Sequence, residues 1–168
     1  MSKCIYICSK KKLSPSVKNK LNEICKKIAP DNINPSPSRI MVNGNVAYAI
    51  LNPANTLLIN GNNLLMGKII GDNTNWDVPL HDPPDGSFAA FRDGKDFLEI
   101  VTDPVASRTV WYYMNNEIFI SSTSQRAIIL FIGGFEFNEK VILWMLTNGS
   151  LGTYFSCDRR ITFVQPYS

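Results

Sequence analysis

The sequence predicts an α+β domain in which two mostly antiparallel sheets pack together and helices cover the outside. Three observations predict it. β-rich runs come in pairs joined by Asn43-Gly44, Asn60-Gly61, Asp93-Gly94 and Asn115-Asn116; dipeptides of this kind readily take the positive φ angles of tight hairpin turns. Phe88 and Ala90 alternate with Ala89 and Phe91, so both faces of that run are apolar, as expected for a strand covered on each side. Helical patterns stand before and after these strand pairs, which favours layered packing.

Each element follows from local signals. Residues 4–9 form a short β-rich run. A helix comes next, with Ser14 as candidate N-cap and Pro15 at the first helical position; Val17, Leu21, Ile24, Cys25 and Ile28 share one stripe, and Pro30 ends it. Residues 31–38 read as a loop. Strands are expected at 39–42 and 46–51, then at 56–59 and 64–70. The segment 72–86 holds Pro79, Pro83 and Pro84, reads as irregular, and is expected to cross from one sheet to the other. Strands resume at 87–92, 97–102, 109–114 and 117–121. Helices follow at 124–131 and from Asn138, a candidate N-cap, to Gly149, which suits the position just past a helix end. A last strand is expected at 160–164.

A chain of 168 residues fits one domain spanning 1–168 with a single core. No apolar run approaches the roughly 20 residues that cross a bilayer. Ile5-Tyr6-Ile7-Cys8, ahead of three lysines, is too short for a signal-peptide apolar region. The expectation is a soluble, cytoplasmic protein without a membrane partner. Cys4, Cys8, Cys25 and Cys157 contain no Cys-x-x-Cys pair, and one histidine accompanies them, so reduced thiols are expected rather than a metal site, a cofactor or a disulfide framework. Residues 1–30 hold eight lysines and one glutamate. A solvated helix face explains this excess; nucleic-acid binding would want aromatic platforms or arginines among the lysines, and only Tyr6 is near.

Between 85 and 164 a series of short signatures stands in a fixed order: Asp85-Gly86-Ser87-Phe88-Ala89, Thr102-Asp103-Pro104 through Arg108, Tyr112-Tyr113, Ser121-Ser122, and Thr147-Asn148-Gly149. In this order they resemble the N-terminal glutamine amidotransferase type 2 domain of the asparagine synthetase-like family, which includes lactam and lasso-peptide cyclase relatives. The similarity is weaker over 1–71. The resemblance implies a four-layer αββα sandwich of the Ntn-hydrolase kind, and a link to asparagine biosynthesis or related ATP-dependent amide formation.

The same resemblance identifies what has changed. In active members a cysteine exposed by removal of the initiator methionine attacks glutamine, with its own α-amino group, of intrinsic pKa about 7.7–8.0, as base. Residue 2 here is Ser2, and Cys4 carries a peptide nitrogen instead of a free amine. The family's asparagine-glycine oxyanion pair is matched by Met66-Gly67: Gly67 can keep a backbone donor, but Met66 has no amide. Losing one such donor typically costs about 2.7–4 kcal/mol of transition-state stabilisation. The arginine that would clamp the substrate carboxylate is missing, since the matching stretch is Ala47-Tyr48-Ala49-Ile50-Leu51. The acidic segment that would recognise the substrate amine has no counterpart in 72–86.

The expectation is therefore a degenerate glutaminase-like domain, a pseudoenzyme with a structural or docking role, whose partner is an ATP-dependent synthetase domain or subunit. No pyrophosphate loop occurs in this sequence, and Val164-Gln165-Pro166-Tyr167-Ser168 is similar to the linker into that domain. One alternative is an active amidohydrolase using Ser2 after Met1 removal; another is a free-standing interaction module. A homo-oligomer is compatible with all three. His81-Asp82 reads as a solvated loop pair, Asp158-Arg159-Arg160 as a local charge cluster, and Trp111, Tyr112, Tyr113 and Trp144 as packing residues.

Overall fold

Strand β1 (Lys3–Ser9) pairs on both sides, with β3 (Val46–Leu51) and with β9 (Ile118–Ser122), and the rest of the chain is arranged around it. The structure is a computed structural model that describes residues 2–32, 34–53, 55–72, 74–94, 96–152 and 155–166. Among them, β2 (Arg39–Asn43), β8 (Trp111–Met114) and β10 (Thr162–Phe163) complete a six-stranded sheet of order β10-β8-β9-β1-β3-β2. The strands β4 (Leu57–Asn60), β5 (Asn63–Ile69), β6 (Gly86–Asp93) and β7 (Leu98–Thr102) form a second sheet in sequence order. Both sheets are antiparallel. The β2–β3 and β4–β5 hairpins turn at Gly44 and Gly61, with φ of 60° and 57°, as their Asn-Gly dipeptides require.

Alternation along each strand builds the layers. Ile5, Ile7, Ala47, Ala49, Leu51 and Ile120 face helices α1 (Ser16–Ile28) and α2 (Gln125–Ile132), whose buried residues are Leu21, Ile24, Cys25 and Ile28, and Ala127, Ile128 and Phe131. The intervening residues, Cys4, Tyr6, Val46, Tyr48 and Ile50, share one apolar cluster with Leu64, Met66, Ala89 and Phe91 of the second sheet. There the Tyr6 ring stacks on Phe91 at 5.2 Å, and its hydroxyl donates to the Asn62 carbonyl at 3.0 Å. The opposite face of the second sheet carries Leu65, Phe88, Ala90 and Val101, covered by Leu58, Ile69 and Trp76. Strand β6 is thus buried on both faces, Ala89 and Phe91 toward the first sheet and Phe88 and Ala90 away from it.

Among the described residues none from a helix belongs to that outer cluster; Leu58 and Ile69 are strand residues of the same sheet, and Trp76 packs on it from the loop after β5. The segment after β5 was expected to cross between sheets, but β5 and β6 pair directly, Gly67 opposite Phe88, so the segment leaves and re-enters the same sheet. The crossings are the β3–β4 and β7–β8 connections. Prolines mark the segment as irregular without specifying its destination, and a buried cation fixes it. Arg92 is 0% exposed on the outward face of β6; its Nε donates to the Trp76 carbonyl and its Nη1 to the His81 carbonyl, each at 2.8 Å. Nη1 also meets Glu99 Oε2 at 3.2 Å.

Helix α3 (Val141–Asn148) begins two residues later than expected, with Lys140 rather than Asn138 at the N-cap; Asn138 still organises the turn before it, accepting from Val141 N–H at its carbonyl at 3.1 Å and from Lys140 N–H at Oδ1 at 3.3 Å. Its packing differs from expectation. Only Val141 is buried, and Trp144, read as a packing residue, is 40% exposed. A helix that is apolar on every side gives no polar stripe from which to read its orientation. Beside it, buried Asp158 accepts from Glu136 N–H at 3.1 Å and from Arg160 N–H, Nε and Nη2 at 3.0, 2.9 and 2.7 Å.

Two predictions follow from these ties. Arg92→Met leaves two loop carbonyls without their donor and Glu99, which still accepts from Leu80 N–H, without its cation, and is expected to lower unfolding free energy by about 2–4 kcal/mol in urea titrations, with faster proteolysis in the 72–86 loop. For Asp158, burial alone would raise the carboxyl, but Arg160 and the Glu136 and Arg160 N–H groups outweigh it and hold it at about 2. Its folded pKa lies below the ordinary carboxylate value, so its contribution is present above pH 4 and is lost as pH falls through about 2. Thermal melts of the wild type should therefore fall more steeply between pH 4 and 2 than those of Asp158→Asn, by on the order of 2 kcal/mol.

Candidate functional site

The front end of β1 opens between the two sheets, and four segments converge there. Ser2 leads into β1, Met66-Gly67 lies in β5, the 103–109 turn joins the sheets, and Thr123 follows β9. The start of β1 is held in place by reciprocal bonds: Cys4 N–H donates to Thr123 Oγ1 at 3.0 Å, and Thr123 N–H donates back to the Cys4 carbonyl at 3.1 Å.

The turn is organised by buried Asp103. Its carboxylate accepts from Phe88 N–H at 3.1 Å, from Val105 and Ser107 N–H at 3.2 Å each, and from the Ser107 hydroxyl. Burial alone would raise this carboxyl, but the Ser107, Phe88 and Val105 donors hold it below the ordinary carboxylate range. An acid filled with backbone donors at a tight turn is a structural device, and it aims the next residues, Arg108 and Thr109, at Ser2.

Two hollows meet at Ser2. One, of about 10 Å³, is lined by Ser2, Thr56, Leu57, Met66, Gly67 and Arg108. Ser2 and Gly67, the two site residues expected from sequence, therefore line the same space. That volume is at the lower limit for holding one water molecule. Met66, 2% exposed, belongs to the apolar cluster between the sheets. The Gly67 N–H, read as an oxyanion donor, donates to the Thr56 carbonyl at 3.2 Å. Packing alone calls for glycine here: φ is 138°, and an added Cβ would lie 2.1 Å from the Ser87 carbonyl oxygen and 2.6 Å from Phe88 Cα.

The second hollow, of about 300 Å³, is lined by Ser2, Lys3, Ser87, Ser107, Arg108, Thr109 and Thr123. It holds hydroxyls and cations and no carboxylate. Arg108 is the residue sequence reasoning missed, having read it only as part of a turn signature. Among the described residues its side chain makes no ion pair and no hydrogen bond, and its Nε is buried without a partner. The sequence carried no signal for it: only the structure shows that the acid of that turn, Asp103, is filled by backbone donors.

The other sequence candidates lie apart from Ser2. Cys4 is buried, and burial, outweighing Thr123 and Arg108, pushes its thiol up to about 12, far from the thiolate that nucleophilic chemistry uses. The 47–51 stretch is a buried apolar strand without a cation. His81 and Asp82 are exposed on the loop of the second sheet. Among the described residues no three His, Cys, Asp or Glu side chains gather in a metal-binding group, and no helix is long and apolar enough to cross a membrane. Met1, whose removal the Ser2 alternative needs, and Tyr167 and Ser168 of the linker-like end lie outside the described residues.

No family model matches the chain, and no curated protein matches it.

Proposed function

We propose that this chain is a catalytically silent glutaminase-like domain of the asparagine synthetase type, acting in the cytoplasm as a structural or docking element for an ATP-dependent amide-forming domain or subunit. On this reading the fold derives from the αββα sandwich of Ntn hydrolases, with the outer helical layer of the second sheet reduced to the Arg92-anchored loop. The observation that carries silence is the roughly 10 Å³ hollow where Ser2, Met66 and Gly67 meet. A glutamine carboxamide needs donors within about 2.7–3.1 Å of the developing oxyanion; the hollow of about 300 Å³ on the other side of Ser2 has room but does not include Met66 or Gly67. Met66 occupies the inter-sheet space and offers no donor, and the Gly67 N–H is engaged by Thr56.

Docking is supported by α3. Leu143 and Leu146 are 72% and 78% exposed, and Trp144, Met145, Phe135 and Phe137 are exposed beside them. An exposed apolar group of this kind marks an interaction surface in a folded chain, and an amide-forming partner bearing the serine-glycine-glycine-x-aspartate-serine pyrophosphate loop is the occupant to which the reading commits.

The test has two arms. Purified chain incubated with glutamine should release no ammonia above a buffer control; release by the wild type that Ser2→Ala abolishes would establish the amidohydrolase alternative instead. In the second arm, tagged chain should retain a protein carrying the pyrophosphate loop, and Leu143→Glu with Leu146→Glu should reduce retention by about tenfold or more. Retention unchanged by that pair would remove α3 as the docking surface.

A further inference from the structure

We propose that the larger hollow beside Ser2 is a binding site for a small oxyanion, the carboxylate or phosphate group of a ligand, held by Arg108. The inference goes beyond the docking reading and does not rest on it, because it requires neither α3 nor any partner.

Three observations carry it. The first is charge: Arg108 and Lys3 both line a hollow of about 300 Å³ whose lining includes no acidic side chain. The carboxylate of the adjoining turn, Asp103, is already filled by the three N–H groups and the Ser107 hydroxyl. The second is an unmet donor. Among the described residues Arg108 Nε is buried with no acceptor, and a buried polar group left without a partner costs about 1–3 kcal/mol, more when charged. A neutral ligand could accept that bond but would leave the guanidinium charge uncompensated; an oxyanion meets both needs through the planar fork that pairs with carboxylate and phosphate.

The third is hydroxyl direction. Thr123 Oγ1 accepts from Cys4 N–H and also bonds the Cys4 side chain, so this hydroxyl is engaged by the chain itself. Ser107 gives its proton to Asp103, and the 2.7 Å Ser87–Ser107 contact then takes the Ser87 proton, which directs those two hydroxyls at each other rather than at a ligand. Donation to a ligand therefore falls to Arg108 and Thr109, with Ser2 and Lys3 also in the lining. A volume near 300 Å³ is at the small end of ligand clefts and suits one compact anionic group with a short substituent. No bond is made or broken.

The experiment titrates the ¹⁵N-labelled full chain with sodium acetate and, separately, sodium phosphate at pH 7, with ionic strength held constant by chloride. The expected result is a saturable shift of the Arg108 side-chain Nε–H resonance and of the Arg108, Thr109 and Thr123 amides, weakening as chloride is raised. Saturation by acetate alone identifies a carboxylate-bearing ligand, and by phosphate alone a phosphate-bearing one. Arg108→Gln should weaken binding at least about tenfold, Arg108→Lys should retain part of it, and Arg159→Gln, in the distant Asp158 cluster, should leave it unchanged. A wild-type Arg108 Nε–H resonance that does not move with either anion overturns the proposal without need of any variant; so does equal affinity in a folded Arg108→Gln protein.

Discussion

The arrangement depends on β1 being clamped between β3 and β9 with both faces buried. Its alternate residues serve two different layers at once: Ile5 and Ile7 pack under the helices, while Cys4 and Tyr6 pack against the second sheet. Each large side chain so buried contributes about 1.5–3 kcal/mol, but the register matters more than the sum. A one-residue slip would exchange every side chain between faces, driving the Tyr6 hydroxyl under α1 and α2 and away from the Asn62 carbonyl that accepts from it. The same register brings Ser2 and Cys4 to the end of the sheet where Thr123, Arg108 and Gly67 converge, so the candidate site is a consequence of core packing.

Two buried charged side chains do the work that regular structure does elsewhere. Asp103 satisfies the backbone donors of the turn that crosses from the second sheet to the first, and Arg92 satisfies carbonyls of the loop that covers the second sheet. A loop crossing an apolar face would otherwise bury backbone groups without partners, which folded proteins rarely tolerate. The difference between Arg92 and Arg108 is informative on this point. Arg92 meets three acceptors of the chain itself through Nε and Nη1, leaving only Nη2 without a partner among the described residues, whereas Arg108 meets none and lines open volume with hydroxyls.

Much of the fold was legible because its signals are local. The Asn-Gly turns fixed the hairpins, the doubly apolar Phe88–Phe91 run announced a strand buried on both faces, and the stripe from Leu21 to Ile28 identified the face of α1. What failed to read was set by tertiary partners. Prolines in the 72–86 segment show that it is irregular, but only the Gly67–Phe88 pairing shows that it returns to its own sheet. Helix α3 has no polar stripe, so Trp144 gave no sign that it would lie half-exposed. Gly67 was read for a donor role, while its dihedral and the 2.1 Å at which an added Cβ would meet the Ser87 carbonyl oxygen account for the glycine through sheet packing. Arg108 was hidden within a turn signature because what sets it apart is that its side chain makes no ion pair or hydrogen bond among the described residues.

Met66 connects the proposed silence to the core. Its side chain lies with Tyr6, Phe91 and Leu64 between the sheets, and the same residue lines the smaller of the two hollows at Ser2, of about 10 Å³. On the proposed reading, restoring a side-chain amide at residue 66 would place a polar group in that apolar cluster, and an unpartnered amide there costs about 1–3 kcal/mol. It would also remove packing around the stacked Tyr6 and Phe91 rings. Recovering an oxyanion donor and keeping the inter-sheet core are therefore opposed at this position, whereas the neighbouring hollow, lined by hydroxyls and Arg108, lies outside that core and can hold an anion without disturbing it.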